Sequence, residues 1–277
     1  MTQLISPEEL QRLSDFLYRH TGMLFGSGKR YYIERRIADR MAATGCPSFA
    51  VYFSVLRADD REREALINAF TVNETYFYRE EHQLSCLSRD LLPDLASQRR
   101  PGDKIRIWSA PCSTGEEAYS IAIWLLENWR MVDAYNVEIV GSDIDTRAIE
   151  DAKAALYGAR ALARLPEAVR QAYFEPIKRQ AWRLIEDLRE SVTFTQANLV
   201  DSASLAGQGT FDVIFCRNVL IYFDDASRLM AANNLYDRLA PGGYLCLGHT
   251  ESMNRISERF VVRRFEDAIV YQRAKAT

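Results

Sequence analysis

The stretch 104-KIRIWSAPCSTGEEAYSIAIWLLENW-129, with 137-VEIVGSDID-145 close behind it, decides the fold. An alternating run (Ile105, Ile107, Trp108) predicts a strand, and Ser113-Thr114-Gly115 predicts a turn. Ala118, Ile121, Ala122, Leu125 and Leu126 recur at helical spacing and predict a helix. Val137, Ile139 and Val140 predict a second strand that ends in Gly141-Ser142-Asp143. Such a βαβ unit binds its ligand beyond the carboxyl ends of the strands. A carboxylate there accepts hydrogen bonds from ribose hydroxyls. An adenosine-containing ligand is therefore expected at Asp143.

The loop between strand and helix narrows the choice. A dinucleotide site needs G-x-G-x-x-G so that backbone can approach a pyrophosphate. This loop has one glycine, Gly115, followed by Glu116 and Glu117. Two acids repel a phosphate and suit a cationic ligand, although acids at a helix start also complement its dipole. S-adenosylmethionine meets the requirement: a sulfonium, an ammonium, a ribose and no phosphate.

Further out, Val192-Thr193-Phe194 and Phe211 to Cys216 predict buried strands, and Asp224 to Leu239 a helix. Ala240-Pro241-Gly242-Gly243 predicts a turn before a strand at Tyr244 to Leu247. Phe260 to Ala274 predicts a hairpin turning near Glu266-Asp267. Strands alternating with helices, closed by an antiparallel pair, give the order of a class I methyltransferase sheet. The expected fold is thus α/β and Rossmann-like, over residues 99–277.

The front end is helical. Ser6-Pro7-Glu8-Glu9 is a capping box with proline at the first helical position, and Gly22 closes that helix. Further helices are expected at Lys29 to Met41, Pro47 to Arg57 and Arg61 to Phe70. Residues 1–70 form the expected small all-α domain. Residues 71–98 form a linker and a helix from about Glu81 to Ser97. Lys29, Arg36 and Arg40 make a basic stripe beside the apolar Ile33, Ile37 and Met41. A solvated face and a docking face for an acidic partner both account for it. In the linker, Asn73, Thr75 and Arg79 read from composition alone as caps and turn residues, with polar lid groups over a ligand as the other reading.

Composition excludes several classes. The 277 residues carry a net charge of −3, with pI about 5.8, which does not mark a nucleic-acid binder. Five cysteines and three histidines are scattered without C-x-x-C spacing, so no metal site is expected. MTQLISPEELQRL has neither a basic n-region nor an apolar h-region, and no apolar run is long enough to span a bilayer. A soluble cytoplasmic protein is expected, with no sign of a dimer seam.

Five segments together resemble the CheR family of chemotaxis receptor protein-glutamate O-methyltransferases. They are 73-NETYFYRE-80, 108-WSAPCSTGEE-117, 142-SDID-145, 215-FCRNVLIYF-223 and 248-GHTES-252. The resemblance spans nearly the whole chain. It implies S-adenosylmethionine as methyl donor, S-adenosylhomocysteine as product, no metal, and acceptor glutamates on the cytoplasmic helical bundle of chemoreceptors. It implies cofactor contacts by Asn73, Thr75, Arg79, Glu116, Asp143, Asn198, Leu199, Arg217 and Asn218. Arg217 and Tyr222 follow the expected fourth strand at the cofactor edge and would position the reacting groups, an aromatic wall being the other reading of Tyr222. Lys29, Arg35, Arg36 and Arg40 would face the receptor. A glutamate acceptor is already ionised at neutral pH, so no general base is expected. Pro111 and Ala118 stand where the family commonly has alanine and proline. The family also often has a small β-subdomain with a Gly-containing loop that binds a receptor C-terminal pentapeptide. The corresponding insertion here, about 174–195, has no glycine between Phe174 and Thr193, so pentapeptide independence is expected. Methylation of RNA or a small molecule, and a non-enzymatic S-adenosylmethionine sensor, are the competing readings. The acidic pI weighs against the first and the intact cofactor loop against the second.

Overall fold

The computed structural model describes residues 5–25, 27–177 and 180–275. Four helices come first: α1 (Pro7–Thr21), α2 (Arg30–Thr44), α3 (Phe49–Ala58) and α4 (Asp60–Phe70). Ser6 and Glu9 form the reciprocal capping box, and Gly22, at φ 71°, closes α1 in the left-handed conformation that glycine tolerates. Leu13, Leu17, Ile33, Ile37, Tyr52 and Leu66 are fully or almost fully buried in a core of their own.

Among the described residues of that helical domain, one charged side chain is buried. Glu62, 5% exposed, is bound by Arg40 through both carboxylate oxygens and accepts the Tyr52 hydroxyl at 2.7 Å. Arg40→Met would leave the Glu62 charge buried and without its cation. A fully buried pair broken on one side costs about 3–5 kcal/mol; Arg40 is 18% exposed, so about 2–4 kcal/mol is expected here. Urea unfolding measures it, and an unchanged midpoint would show that Glu62 finds another donor.

The helix expected from Glu81 to Ser97 is interrupted. It runs as α5 (Glu81–Cys86), a π turn (Leu87–Leu91) and α6 (Leu92–Ala96). Pro93 supplies the reason: its ring crowds the carbonyl four residues earlier, and a widened turn relieves that contact.

A seven-stranded sheet follows. Its members are β1 (Lys104–Ser109), β2 (Asn136–Asp143), β6 (Val192–Gln196), β7 (Phe211–Cys216), β8 (Leu239–Leu247), β9 (Phe260–Arg264) and β10 (Ile269–Arg273). They lie in the order β6-β2-β1-β7-β8-β10-β9. The first five are parallel, and β10 runs antiparallel to both of its neighbours. Helix α7 (Glu116–Asn128) and the 81–96 segment cover one face; the helix Asp225–Arg238 covers the other. The chain leaves β1 for β2 and β6 on one side and returns to β7 and β8 on the other. The crevice at that reversal, beyond the carboxyl ends of β1, β2 and β7, is where such sheets bind ligands.

Two local features differ from the sequence reading. Ala240-Pro241-Gly242-Gly243 is a protrusion inside β8, not a turn ahead of it. Leu239 pairs with Phe211 and Tyr244 with Val213, so the residues between bulge out. Residues 156–158 form an additional strand, β3 (Leu156–Gly158), which joins β4 (Phe174–Ile177) and β5 (Ala181–Leu184) in a small antiparallel sheet ordered β3-β5-β4. Three residues are too few to show a period, and their partner lies more than twenty positions away. This sheet packs on the crevice: Tyr157 donates to the Thr114 carbonyl at 2.9 Å, and its ring meets Phe77 edge-on.

Candidate functional site

Three loops build the crevice. After β1 the backbone turns through Ser113 (φ 50°) and Gly115 (φ 94°) into α7. A Cβ on Gly115 would approach Ala152 Cβ to 2.9 Å and the Tyr157 hydroxyl to 3.1 Å, so the turn has no room for a side chain. After β2 comes Asp143, 4% exposed, which accepts from the Ser113 amide (2.8 Å) and the Asp145 amide (2.9 Å). Burial pushes its carboxyl up to about 6 against the pull of those amides. After β7 come Arg217 and Asn218, the latter at φ 60°.

Glu251 shapes the third loop. Its carboxylate accepts four backbone amides: Gly248 (2.9 Å), Asn218 (2.7 Å), Val219 (3.0 Å) and Leu220 (2.8 Å). This charge in a nest of N–H groups stabilises the left-handed Asn218 and fixes where Arg217 projects.

Arg217 is the ionic centre. Its guanidinium donates to Glu117 Oε2 (2.8 Å) and the Arg79 carbonyl (2.8 Å), and lies 3.2 Å from Glu80 Oε2. Its side chain is 3% exposed, and Glu80 and Glu117 are only 11% and 13% exposed. Burial pushes the Glu80 carboxyl up, but Arg217 and the hydrogen bond from His249 outweigh it, so the net shift is downward. The Arg217 Nε–H is buried with no hydrogen-bond partner among the described residues. Of the six non-glycine residues with positive φ among the described residues, four (Tyr78, Glu80, Ser113 and Asn218) belong to this crevice and its linker. Strain concentrated in this way is characteristic of binding sites.

The crevice has two arms that meet at Val72, Pro111, Ser113 and Asn218. The polar arm is lined by Thr75, Tyr76, Arg79, Glu117, Ser120 and Arg217. It offers both charge signs at close quarters, which suits an amino-acid end group. The other arm reaches toward the helical domain and is lined by Met23, Phe25, Tyr32, Phe70, Val219 and Tyr222, with Lys29, Asp143 and Ile144. Apolar and aromatic walls beside a carboxylate suit a nucleoside. Burial raises the Tyr222 phenol, so it stays protonated at neutral pH and forms a wall of this arm, not a base.

The residues expected at the site divide into two groups. Thr75, Arg79, Asp143, Arg217, Asn218, Tyr222 and Lys29 line the two arms, and Asn73 reaches them through Ser113 (3.3 Å). Glu116, Asn198 and Leu199 line neither. Glu116 is 4% exposed and turns into the loop to accept the Thr114 hydroxyl, and burial raises its carboxyl. Asn198 donates to the His20 carbonyl (2.8 Å) and so pins the loop after β6 to the end of α1; Leu199 is in the core. Glu117, next in sequence to Glu116, lines the polar arm. A helix that buries its first residue under the turn exposes the next one, a distinction the paired acids alone do not reveal.

The basic residues of α2 are separated too. Arg35, Arg36 and Arg40 line a groove with Asp39, Ala69 and Arg147, apart from Lys29 at the crevice. Arg36 stacks on Tyr32 (3.4 Å to the ring centroid) and donates to the Ala69 carbonyl, while Arg40 holds Glu62. Arg35 and Arg147 are the exposed cations of that groove. Arg147, at the start of the helix after β2, was invisible as a member because only the fold brings it beside α2.

Among the described residues no helix is long and apolar enough to cross a membrane, and no His, Cys, Asp and Glu cluster is arranged to hold a metal ion.

Comparison with known proteins gives one family across the chain. Residues 8–71 match the model "CheR methyltransferase, all-alpha domain", and residues 73–269 match "CheR methyltransferase, SAM binding domain". A Vibrio cholerae protein named chemotaxis protein methyltransferase 2 is 46% identical over 270 residues, covering 97% of this chain and 93% of the relative. A Pseudomonas aeruginosa protein of the same name is 37% identical over 88% of this chain and 86% of its own length. A Vibrio parahaemolyticus chemotaxis protein methyltransferase is 34% identical, over 97% and 98%.

Proposed function

This chain belongs to the CheR methyltransferase family, and on that premise we propose that it methylates glutamate side chains on the cytoplasmic helical bundle of chemoreceptors. It does so in the cytoplasm, as a monomer, and yields glutamate methyl esters and S-adenosylhomocysteine. The observation that carries the reading is Asp143: a buried carboxylate at the end of β2, in the apolar arm and hydrogen-bonded to Ser113, where the two arms meet.

The residues present fit S-adenosylmethionine. Asp143 retains lone pairs for ribose hydroxyls beyond the two amides it accepts. Arg79, Glu117 and the free Nε–H of Arg217 supply partners for a carboxylate and an ammonium. Ile144 and Val219 offer apolar surface for a base. When bound, the cofactor supplies an electrophilic sulfonium methyl group. The acceptor carboxylate is ionised above about pH 6 and requires no base. The chain's own contribution is to orient the reactants and exclude water, the larger share of which comes from alignment. Adding receptor cytoplasmic fragments to enzyme and cofactor tests the reading: S-adenosylhomocysteine should form in proportion to the fragment. Formation with RNA or without any acceptor would redirect it to another substrate class.

Recognition runs through charge and not through a tethered peptide. A pentapeptide that joins a sheet needs an edge with free amides. Edge strand β4 has four residues, one of them Pro176, which has no N–H, and edge strand β3 has three. Acidic receptor helices instead meet the cations beside α2. Because Arg36 and Arg40 have internal partners, the test uses the two exposed ones. Arg35→Glu with Arg147→Glu should raise the receptor KM roughly tenfold at low salt, with a smaller effect as salt screens the field. S-adenosylhomocysteine affinity should not change. A normal receptor KM in that variant, or micromolar binding of a free receptor pentapeptide by calorimetry, would overturn this route.

A further inference from the structure

Asp145 lines neither arm of the crevice, yet its carboxylate, 2% exposed, is fully engaged. Oδ1 accepts the Arg147 and Ala148 amides at 3.0 and 3.1 Å, capping the helix Thr146–Ala154. Capping needs only that oxygen. Oδ2 is given over to the interdomain linker: it accepts the Thr71 hydroxyl and the Asn73 amide nitrogen, the latter at 2.8 Å.

These bonds close a ring. The Asp145 amide donates to Asp143 Oδ1 (2.9 Å), and the Ser113 amide to Asp143 Oδ2 (2.8 Å). The Ser113 hydroxyl donates to Asn73 Oδ1 (3.3 Å), and Asn73 returns to Asp145. Beside the ring, Asn68 of α4 exchanges two hydrogen bonds with Thr146, at 2.8 and 3.3 Å. The end of the helical domain, the linker, the loop after β1 and the end of β2 thus meet at one buried carboxylate.

We propose that Asp145 is a positioning residue that couples the seat of the helical domain to the ribose-binding carboxylate. The proposal rests on the reading of Asp143 given above. Displacing the linker pulls on both sides of the Asp143 carboxylate, so cofactor affinity depends on how the helical domain is seated. By linkage, a receptor that shifts that seat changes cofactor affinity, and bound cofactor changes receptor affinity by the same factor.

A capping role and a coupling role are separable. Serine caps a helix about as well as aspartate but has one oxygen on a shorter side chain. Asp145→Ser therefore keeps the cap and loses the linker. It should remain folded, with a urea midpoint lowered by no more than the loss of those linker bonds, while the S-adenosylhomocysteine Kd rises about five- to tenfold, the scale of one or two hydrogen bonds. Thr71→Val cuts the same link from the helical side and leaves the cap intact, and should raise Kd severalfold. In both, KM for S-adenosylmethionine should rise with kcat at saturation little changed. Wild-type affinity in Thr71→Val or in folded Asp145→Ser overturns the coupling. Asp143→Ala, titrated alongside, separates the two failures: if it too binds normally, the reading of the site is at fault.

Discussion

Arg217→Met is expected to lower stability by about 3–5 kcal/mol and to abolish methyl transfer. The wild-type guanidinium, 3% exposed, answers two buried carboxylates and one carbonyl. Methionine fills similar space but leaves Glu80 and Glu117 charged and without their cation. Breaking a buried ionic network from one side has that cost, more than the network itself contributes. Arg217→Lys should not rescue activity, because a point charge cannot hold Glu117, Glu80 and the Arg79 carbonyl through one planar fork. Urea unfolding and single-turnover methylation are the measurements. An Arg217→Met protein of wild-type stability would mean that the carboxylates are protonated or hydrated, contrary to the geometry described.

Asp143→Asn is expected to weaken S-adenosylhomocysteine about ten- to a hundredfold at pH 8, the value of charge-assisted hydrogen bonds to a ribose. The wild-type pH dependence has a definite sign. Burial raises the folded-state carboxyl from 3.8 to about 6. Protonation therefore favours the fold: the stabilising contribution is complete below about pH 4 and is lost as pH rises through 6. In the proposed binding mode the requirement is the opposite, since a carboxylate that accepts ribose hydroxyls must be ionised. Affinity should be flat above pH 7 and fall about tenfold per unit below 6. The Asn variant should lose that acid limb. Calorimetric titration from pH 5 to 8 checks both statements. A wild-type affinity constant across that range would remove Asp143 from the binding site. No further limb is expected near neutrality, because an ionised acceptor needs no base.

The path from β1 to β2 was legible because its signals are local: alternation, one glycine in a turn, helical spacing, an acid at a strand end. The same holds for the Ser6 capping box, the Gly22 stop and the closing hairpin. Features that depend on distant partners were not legible. Strand β3 exists only because β5 pairs with it, and the β8 bulge is set by its register with β7. Glu251 reads as one acid in a loop until four amides turn toward it. Arg40 reads as a surface cation, but Glu62 claims it. At the site, the linker, the β1 loop, the β2 end and the β7 loop converge on one crevice. That Glu117 lines the crevice while Glu116 and Asn198 do not depends on how each loop is pinned. His20 lies outside any motif, and Thr114, although inside one, shows its bond to Glu116 only in the folded loop.

The central claim is methyl transfer from S-adenosylmethionine to receptor carboxylates at this crevice. Its most direct test combines the enzyme, methyl-labelled S-adenosylmethionine and a receptor cytoplasmic fragment, followed by mild alkali. Label is expected on glutamate residues of the fragment, released by alkali as an ester must be, and strongly reduced with Asp143→Asn enzyme. Label that survives alkali, label on another acceptor, or no transfer by correctly folded protein would contradict it.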